Sequence, residues 1–208
     1  MSKNQDTEKE PNETEENDEK SSGMIIEPEP NSRIVGLYGS IDEEKSASMI
    51  SVLYHMKSTG KIVAENGDIS YDPIEFLIST DGGIIADTFA MYDVMRDDQK
   101  ECPISTFGVG KVMSAGLILL AAGTPGKRRI GKHCRLMIHQ ISSGNYGQLH
   151  DLQNNVDEIK WMQKMYVDTL ANLTKLSKKE IEKLFKKRMD IYFDSETAVK
   201  WGIADCIV

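Results

Sequence analysis

Ser114, His139 and Asp190 follow one another along the chain and bring the three side chains that acyl transfer through a hydroxyl requires. A serine oxygen is a weak nucleophile until a base takes its proton, and the base works best when a third group orients its ring. Each residue also has an ordinary structural reading. Ser114 sits where Gly110-Lys111-Val112-Met113 gives way to Ala115-Gly116, a strand-to-helix corner at which a strained turn could expose the hydroxyl. The spacing is not G-x-S-x-G, and a serine at a helix start commonly serves as its cap. His139 lies between Ile138 and Gln140, as a hydrogen-bonded core imidazole or as a general base. Asp190, after Lys186-Lys187-Arg188, reads as a loop acid, a cap or the orienting carboxylate. Gly82-Gly83 after an apolar run makes either a tight turn or a place where backbone amides can approach a ligand closely.

Other chemistries fit less well. Gly110-Lys111 lacks the remainder of a phosphate loop, since Ser105 stands where its first glycine belongs and Val112 where a Ser or Thr is needed. Cys102, Cys134 and Cys206 are an odd set without C-x-x-C spacing, which fits reduced thiols in an intracellular protein rather than a disulfide framework. The four histidines form no H-x-x-x-H pair, so no metal site is expected. The 208 residues carry 25 Lys+Arg and 33 Asp+Glu for a net charge of -8, and ten of those acids against three lysines fall in residues 1–32. The near-neutral remainder has no basic stripe, and nucleic acid is not an expected partner. No apolar run reaches the roughly 18 residues of a membrane span. The polar, acidic start is unlike a signal peptide, so the expected compartment is the cytoplasm, or the lumen of whatever compartment makes the chain.

The elements that must hold these residues can be read from periodicity. Residues 1–32 contain almost no large apolar side chain before Met24 and are expected to form a disordered acidic arm. From Arg33 onward the pattern is that of a single domain. Ile34–Tyr38 reads as a strand stopped by Gly39, and Ser40 with Glu43 as a capping box for a helix that Gly60 ends. A polar stretch reaches Pro73. The run Ile74–Ser79 is a second strand, followed by a turn at Thr80-Asp81-Gly82-Gly83 and a helix through Met95. Pro103–Val109 is a third strand, and Ser114–Gly123 a helix of small and apolar residues. After a basic loop, Leu136–Gln140 is a fourth strand, and roughly Leu149–Lys175 a helix long enough to project from the body. Ser177 with Glu180 caps another helix, and Glu196–Trp201 forms the last. This rhythm predicts an α/β fold of βαβ units around a mainly parallel sheet covered on both faces.

The motifs, taken in order, resemble those of the ClpP family, the proteolytic subunit of ATP-dependent Clp proteases. They are Gly39-Ser40-Ile41-Asp42, Ile78-Ser79-Thr80-Asp81-Gly82-Gly83, Tyr92-Asp93-Val94-Met95, Ser105-Thr106-Phe107-Gly108-Val109-Gly110, Met113-Ser114-Ala115-Gly116, Leu119-Leu120-Ala121-Ala122-Gly123, Gly126-Lys127-Arg128-Arg129, Arg135-Leu136-Met137-Ile138-His139-Gln140 and Ala198-Val199-Lys200-Trp201-Gly202-Ile203-Ala204-Asp205. They span residues 33–208.

The resemblance implies a ClpP/crotonase-like fold with a protruding strand-helix handle at about 140–175. It implies Ser114 as nucleophile, His139 as base and Asp190 as acid, the last counted back from the closing Ala-Val-x-x-Gly segment. It also implies the backbone N–H groups of Gly83 and Ala115 as oxyanion hole, and pairing of substrate as an added strand beside Ile141 and Ser142. The implied activity is serine endopeptidase hydrolysis inside a chamber built from two stacked seven-membered rings. Unfolded polypeptide would be fed in by an AAA+ ATPase that alone consumes ATP, and this chain would need no cofactor. Two alternatives are an inactive subunit mixed into a paralogue's ring and an acyl-CoA enzyme of the related crotonase type. The chain departs from the family pattern at Thr80-Asp81 (usually Ser-Pro), Ala115 (usually bulkier), Ile141 (usually Pro) and Met189 (usually basic, with Arg188 as substitute). The loop Ile62–Pro73 is longer than usual, and residues 1–32 lack a clear axial-loop match.

Overall fold

The computed structural model describes residues 32–144 and 146–208. The expected acidic arm, except for Ser32, lies outside them. Nine strands and six helices are found among the described residues. In order they are β1 (Ile34–Ile41), α1 (Glu43–Thr59), β2 (Lys61–Val63), β3 (Ile69–Tyr71), β4 (Ile74–Gly83), α2 (Ile85–Asp98), β5 (Ile104–Met113), α3 (Gly116–Ala121), β6 (Arg128–Ile130), β7 (Arg135–Ile138), α4 (Leu149–Leu173), α5 (Lys178–Phe185), β8 (Ile191–Phe193), α6 (Ser195–Trp201) and β9 (Cys206–Ile207).

Seven of the strands form one sheet in which β1, β4, β5, β6 and β9 pair in parallel. β5 changes neighbour along its length. Thr106–Gly108 pairs with β6 and Lys111–Met113 with β7, again in parallel, while β7 and β8 form the antiparallel exception. Between the two halves Gly110 adopts a φ of 65°, a conformation glycine takes without a Cβ penalty. This switch carries the end of β5 away from β6 and delivers Ser114 beside β7. The expected α/β class and mainly parallel sheet are therefore found.

Burial alternates along β4, with Ile74, Phe76, Ile78 and Thr80 inside, Glu75, Leu77 and Ser79 half-buried and Asp81 exposed. One face of the sheet is therefore closely covered and the other only partly, where the sequence reading expects cover on both. The closely covered face packs against Met49, Leu53 and Met56 of α1, Met91 and Met95 of α2, and Leu117–Ala122 around α3 in one core. Helix α3 is buried on every side, which explains its all-apolar sequence. α4 spans 25 residues, and only Tyr166, Val167 and Leu170, near its C-terminal end, are fully buried. The long helix read from the sequence is thus anchored at one end. Among the described residues no helix is long and apolar enough to cross a membrane.

Several boundaries differ from the sequence reading. The strands do not stop before their glycines: β1 runs through Gly39, with a register shift between Tyr38 and Ser40, and β4 runs on to Gly83, with its shift against β5 between Ile78 and Thr80. The cap of α1 is Asp42, whose carboxylate accepts from the Lys45 N–H at 2.9 Å, rather than Ser40. The polar stretch before Pro73 contains the β2–β3 hairpin. β6 lies inside what reads as a basic loop. Its Arg128 reaches the Asp205 carboxylate at 2.6 Å and donates to the carbonyls of Ala121, Leu173 and Gly202. One side chain therefore joins the ends of α3, α4 and α6 to the sheet. The Ser177/Glu180 capping box of α5 forms as expected.

Candidate active site

Ser114 occupies the corner between β5 and α3 with a φ of 53°. A side chain pays about 1–3 kcal/mol for that left-handed conformation, so the surroundings must hold it. They do so from three elements. The Ser114 N–H donates to the Met137 carbonyl of β7 at 2.8 Å, and the Leu117 N–H of α3 donates to the Ser114 carbonyl at 3.1 Å. The buried Tyr166 hydroxyl of α4 donates to the same carbonyl at 3.1 Å. The capping alternative is excluded by geometry: the N-cap of α3 is Ala115, with no side-chain bond. The serine oxygen is left free to meet another group.

That group is His139. It lies one residue beyond the end of β7, and its Nε2 is 2.7 Å from Ser114 Oγ, a strong hydrogen-bond distance. Its other nitrogen, Nδ1, is 3.4 Å from Asp190 Oδ1. Asp190 directly precedes β8, whose antiparallel pairing with β7 brings the carboxylate to the imidazole. The preceding residues turn sharply at Arg188, with a φ of 51°. This second contact is looser than a hydrogen bond, and the carboxylate is half-exposed. The fold thus gathers the three predicted residues from three separate segments.

The two glycines before α2 are also fixed by packing. Thr80, fully buried, accepts from the Gly82 N–H at 3.0 Å. A Cβ on Gly82 would lie 2.7 Å from Ser114 Cβ and 2.8 Å from the Met113 carbonyl oxygen, and one on Gly83 would lie 2.1 Å from the Ile41 carbonyl oxygen. β4 can lie this close to the elbow only because Gly82 lacks a side chain, and this close to the end of β1 only because Gly83 does. Gly83 and Ala115 then border one cavity of about 450 Å³ with Ser114, His139, Ile141 and Ser142. The Ala115 N–H makes no bond to another described residue. Ile84, Ile85, Ile159 and Met162 give the cavity apolar walls. Among the described residues no cluster of His, Cys, Asp and Glu is placed to hold a metal, and all three cysteines are unpaired thiols.

Two residues of α4 at this site were not singled out from the sequence. Gln163 accepts from the Ile141 N–H at 2.8 Å, which gives a partner to the amide that a proline would lack. Tyr166 is 3% exposed and places its hydroxyl on the Ser114 carbonyl. Burial pushes that hydroxyl's pKa well above the ordinary value, so it remains a donor. A tyrosine on a buried helix face needs a partner for its oxygen, and that need was the available signal. The other departures also have structural counterparts. Asp81 forms an ion pair with Lys111 across β4 and β5 at 2.6 Å, and the lengthened loop is the β2–β3 hairpin.

Comparison with known families agrees with this arrangement. A family model described as Clp protease matches residues 17–208, nearly the whole chain, starting within the acidic segment rather than at Arg33. With the parallel sheet, the Ser114 elbow and the protruding helix in place, the chain belongs to the Clp protease family.

Proposed function

We propose that the chain is a serine endopeptidase subunit. The observation that carries this reading is the 2.7 Å contact between His139 Nε2 and Ser114 Oγ, made while Ser114 is held in a left-handed conformation. In the reaction His139 takes the hydroxyl proton as Ser114 Oγ attacks the peptide carbonyl. Asp190 holds the imidazole in the tautomer that leaves Nε2 free and stabilises the imidazolium that follows. The Gly83 and Ala115 N–H groups receive the developing oxyanion, each worth roughly 3 kcal/mol in the transition state. His139 then protonates the leaving amine, and a water activated by the same ring releases the acyl-enzyme. The contact between Ser114 and His139 favours hydrolysis over an enolate-holding acyl-CoA reaction, which would use the two amides but not the pair.

The substrate backbone pairs along Ile141 and Ser142. Because the Ile141 N–H is taken by Gln163, the Ile141 carbonyl and the Ser142 backbone carry that pairing, and main-chain bonds of this kind tolerate many sequences. An apolar side chain next to the cleaved bond suits the isoleucine and methionine walls. The chain works as a member of stacked seven-membered rings. Leu149, Val156 and Trp161 stand exposed on α4, an apolar surface suited to burial against another subunit. Ring assembly closes the 3.4 Å gap between His139 and Asp190. Unfolded polypeptide reaches the chamber through an AAA+ partner that hydrolyses ATP, and mixed rings with a paralogue fit the same surfaces. The test is degradation of an unfolded, fluorescently labelled protein by the assembled chain, alone and with a Clp-type ATPase and ATP. Cleavage that disappears in Ser114→Ala is expected. Undiminished cleavage by that variant overturns the proposal.

A further inference from the structure

The buried part of α4 meets the Ser114 elbow through a polar atom that the hydrolytic steps leave unused. Tyr166 OH lies 3.1 Å from the Ser114 carbonyl, and the Tyr166 ring is seated against Phe185 of α5 with centroids 6.0 Å apart. The Ser114 carbonyl and the Ala115 N–H are two ends of one peptide group. No peptide bond among the described residues is cis, so this carbonyl and N–H point in opposite directions within a plane. Fixing the carbonyl therefore fixes the amide. The same plane hangs from a residue whose φ of 53° is intrinsically unfavourable, so losing a restraint lets it relax toward an ordinary conformation.

We propose that Tyr166 is a positioning residue: its hydroxyl pins the Ser114–Ala115 peptide, holding Ser114 Oγ at His139 and the Ala115 N–H at the oxyanion position. This rests on the serine peptidase reading above. It extends that reading to a residue that touches neither proton nor substrate carbonyl. The Leu117 N–H shares the same carbonyl, so removing the tyrosine oxygen weakens the restraint without abolishing it.

The test compares the assembled full-length wild type with Tyr166→Phe and Phe185→Leu. Tyr166→Phe deletes one oxygen and keeps the ring packing. Phe185→Leu loosens the same cluster and keeps the hydroxyl. For a short fluorogenic peptide, Tyr166→Phe is expected to lower kcat roughly five- to tenfold, the loss of one net hydrogen bond, with KM unchanged. Phe185→Leu is expected to stay within about twofold of wild type in kcat, even though it lowers Tm at least as much. Three results would overturn the proposal: kcat within twofold of wild type in Tyr166→Phe, a loss expressed only in KM, or losses in both variants that track their Tm values. A further measurement separates this from the underlying reading. Fluorophosphonate should label wild-type Ser114 rapidly and Tyr166→Phe more slowly by the same factor. Equal labelling rates overturn the role of Tyr166 alone, whereas no labelling of wild type overturns the peptidase reading and this role with it. Should Tyr166→Phe fail to fold, the labelling rate of Phe185→Leu decides. A fall of tenfold or more with the hydroxyl still present would contradict the assignment, and a near-wild-type rate would support it.

Discussion

Replacing Gly82 by alanine adds one methyl group between β4 and the Ser114 elbow, and the structure gives its cost. At Gly82 φ is 90°, where any L side chain pays about 1–2 kcal/mol. The new Cβ would lie 2.7 Å from Ser114 Cβ, 2.8 Å from the Met113 carbonyl oxygen and 3.1 Å from the Ala115 nitrogen. Carbon atoms in good contact lie about 3.5–4.0 Å apart, so the elbow must retreat by roughly 0.8 Å. Two of the three atoms belong to the backbone, and no rotamer change can relieve the overlap. Overpacking of this kind adds about 1–3 kcal/mol. A shift approaching 1 Å at reacting atoms costs on the order of a hundredfold in rate. Gly126 provides the control, because its φ is 82° but a Cβ there would meet nothing within 4 Å. Gly82→Ala is thus expected to lower Tm by several degrees and the fluorophosphonate labelling rate about a hundredfold. Gly126→Ala should lower Tm slightly and leave labelling intact. Labelling of Gly82→Ala at more than half the wild-type rate, or an equal loss in Gly126→Ala, would refute the packing argument.

Three further outcomes follow from the same geometry. Asp190→Asn should fold normally, because the carboxylate is half-exposed, yet lose on the order of 10²–10⁴ in kcat by presenting the wrong tautomer of His139; peptide hydrolysis with a Tm control measures this. Arg128→Met should destabilise the protein by about 2–4 kcal/mol in chemical denaturation, somewhat below a fully buried pair because Arg128 and Asp205 are 11% and 23% exposed. Burial works to raise the Asp205 carboxyl, but the Arg128 hydrogen bonds and charge outweigh it and hold the pKa below its ordinary value. The stabilisation is therefore fully present above about pH 4 and lost as pH falls through the lowered pKa, so the variant should show a smaller loss of stability on acidification across that range. Gln163→Leu removes the acceptor of a part-buried N–H, which costs at most about 1 kcal/mol because water can replace it, and should raise KM for peptides more than it lowers kcat, since it loosens the Ile141 edge.

The parts of the fold that bury apolar faces were legible from periodicity. β4, the first half of β5 and helices α1, α2, α4, α5 and α6 all carry such faces, and the Ser177/Glu180 box announced α5. What remained hidden has physical causes. The β2–β3 hairpin exposes Ile62, Val63 and Ile69, so it has no inside to imprint a pattern. β6 begins with two arginines whose charges are paired with Asp205 and Glu75, and a strand stabilised by side-chain ion pairs looks like a basic loop. Gly39 and Gly110 read as stops, yet β1 and β5 bend there and continue, and Gly82-Gly83 reads as a turn yet forms the end of β4. At the site, Ser114, His139 and Asp190 were individually ambiguous because the serine's φ and the separations between side chains depend on β5 exchanging β6 for β7. Tyr166 and Gln163 escaped notice because their roles lie in hydrogen bonds to backbone atoms far away in sequence.

The claim that organises these observations is that Ser114 Oγ is an activated nucleophile. Intact-mass measurement of the assembled full-length chain after brief fluorophosphonate treatment, beside Ser114→Ala at the same concentration, tests it most directly. One adduct per wild-type chain and none on the variant is the predicted result. An unlabelled wild type, or a variant that still gains the adduct, would contradict it.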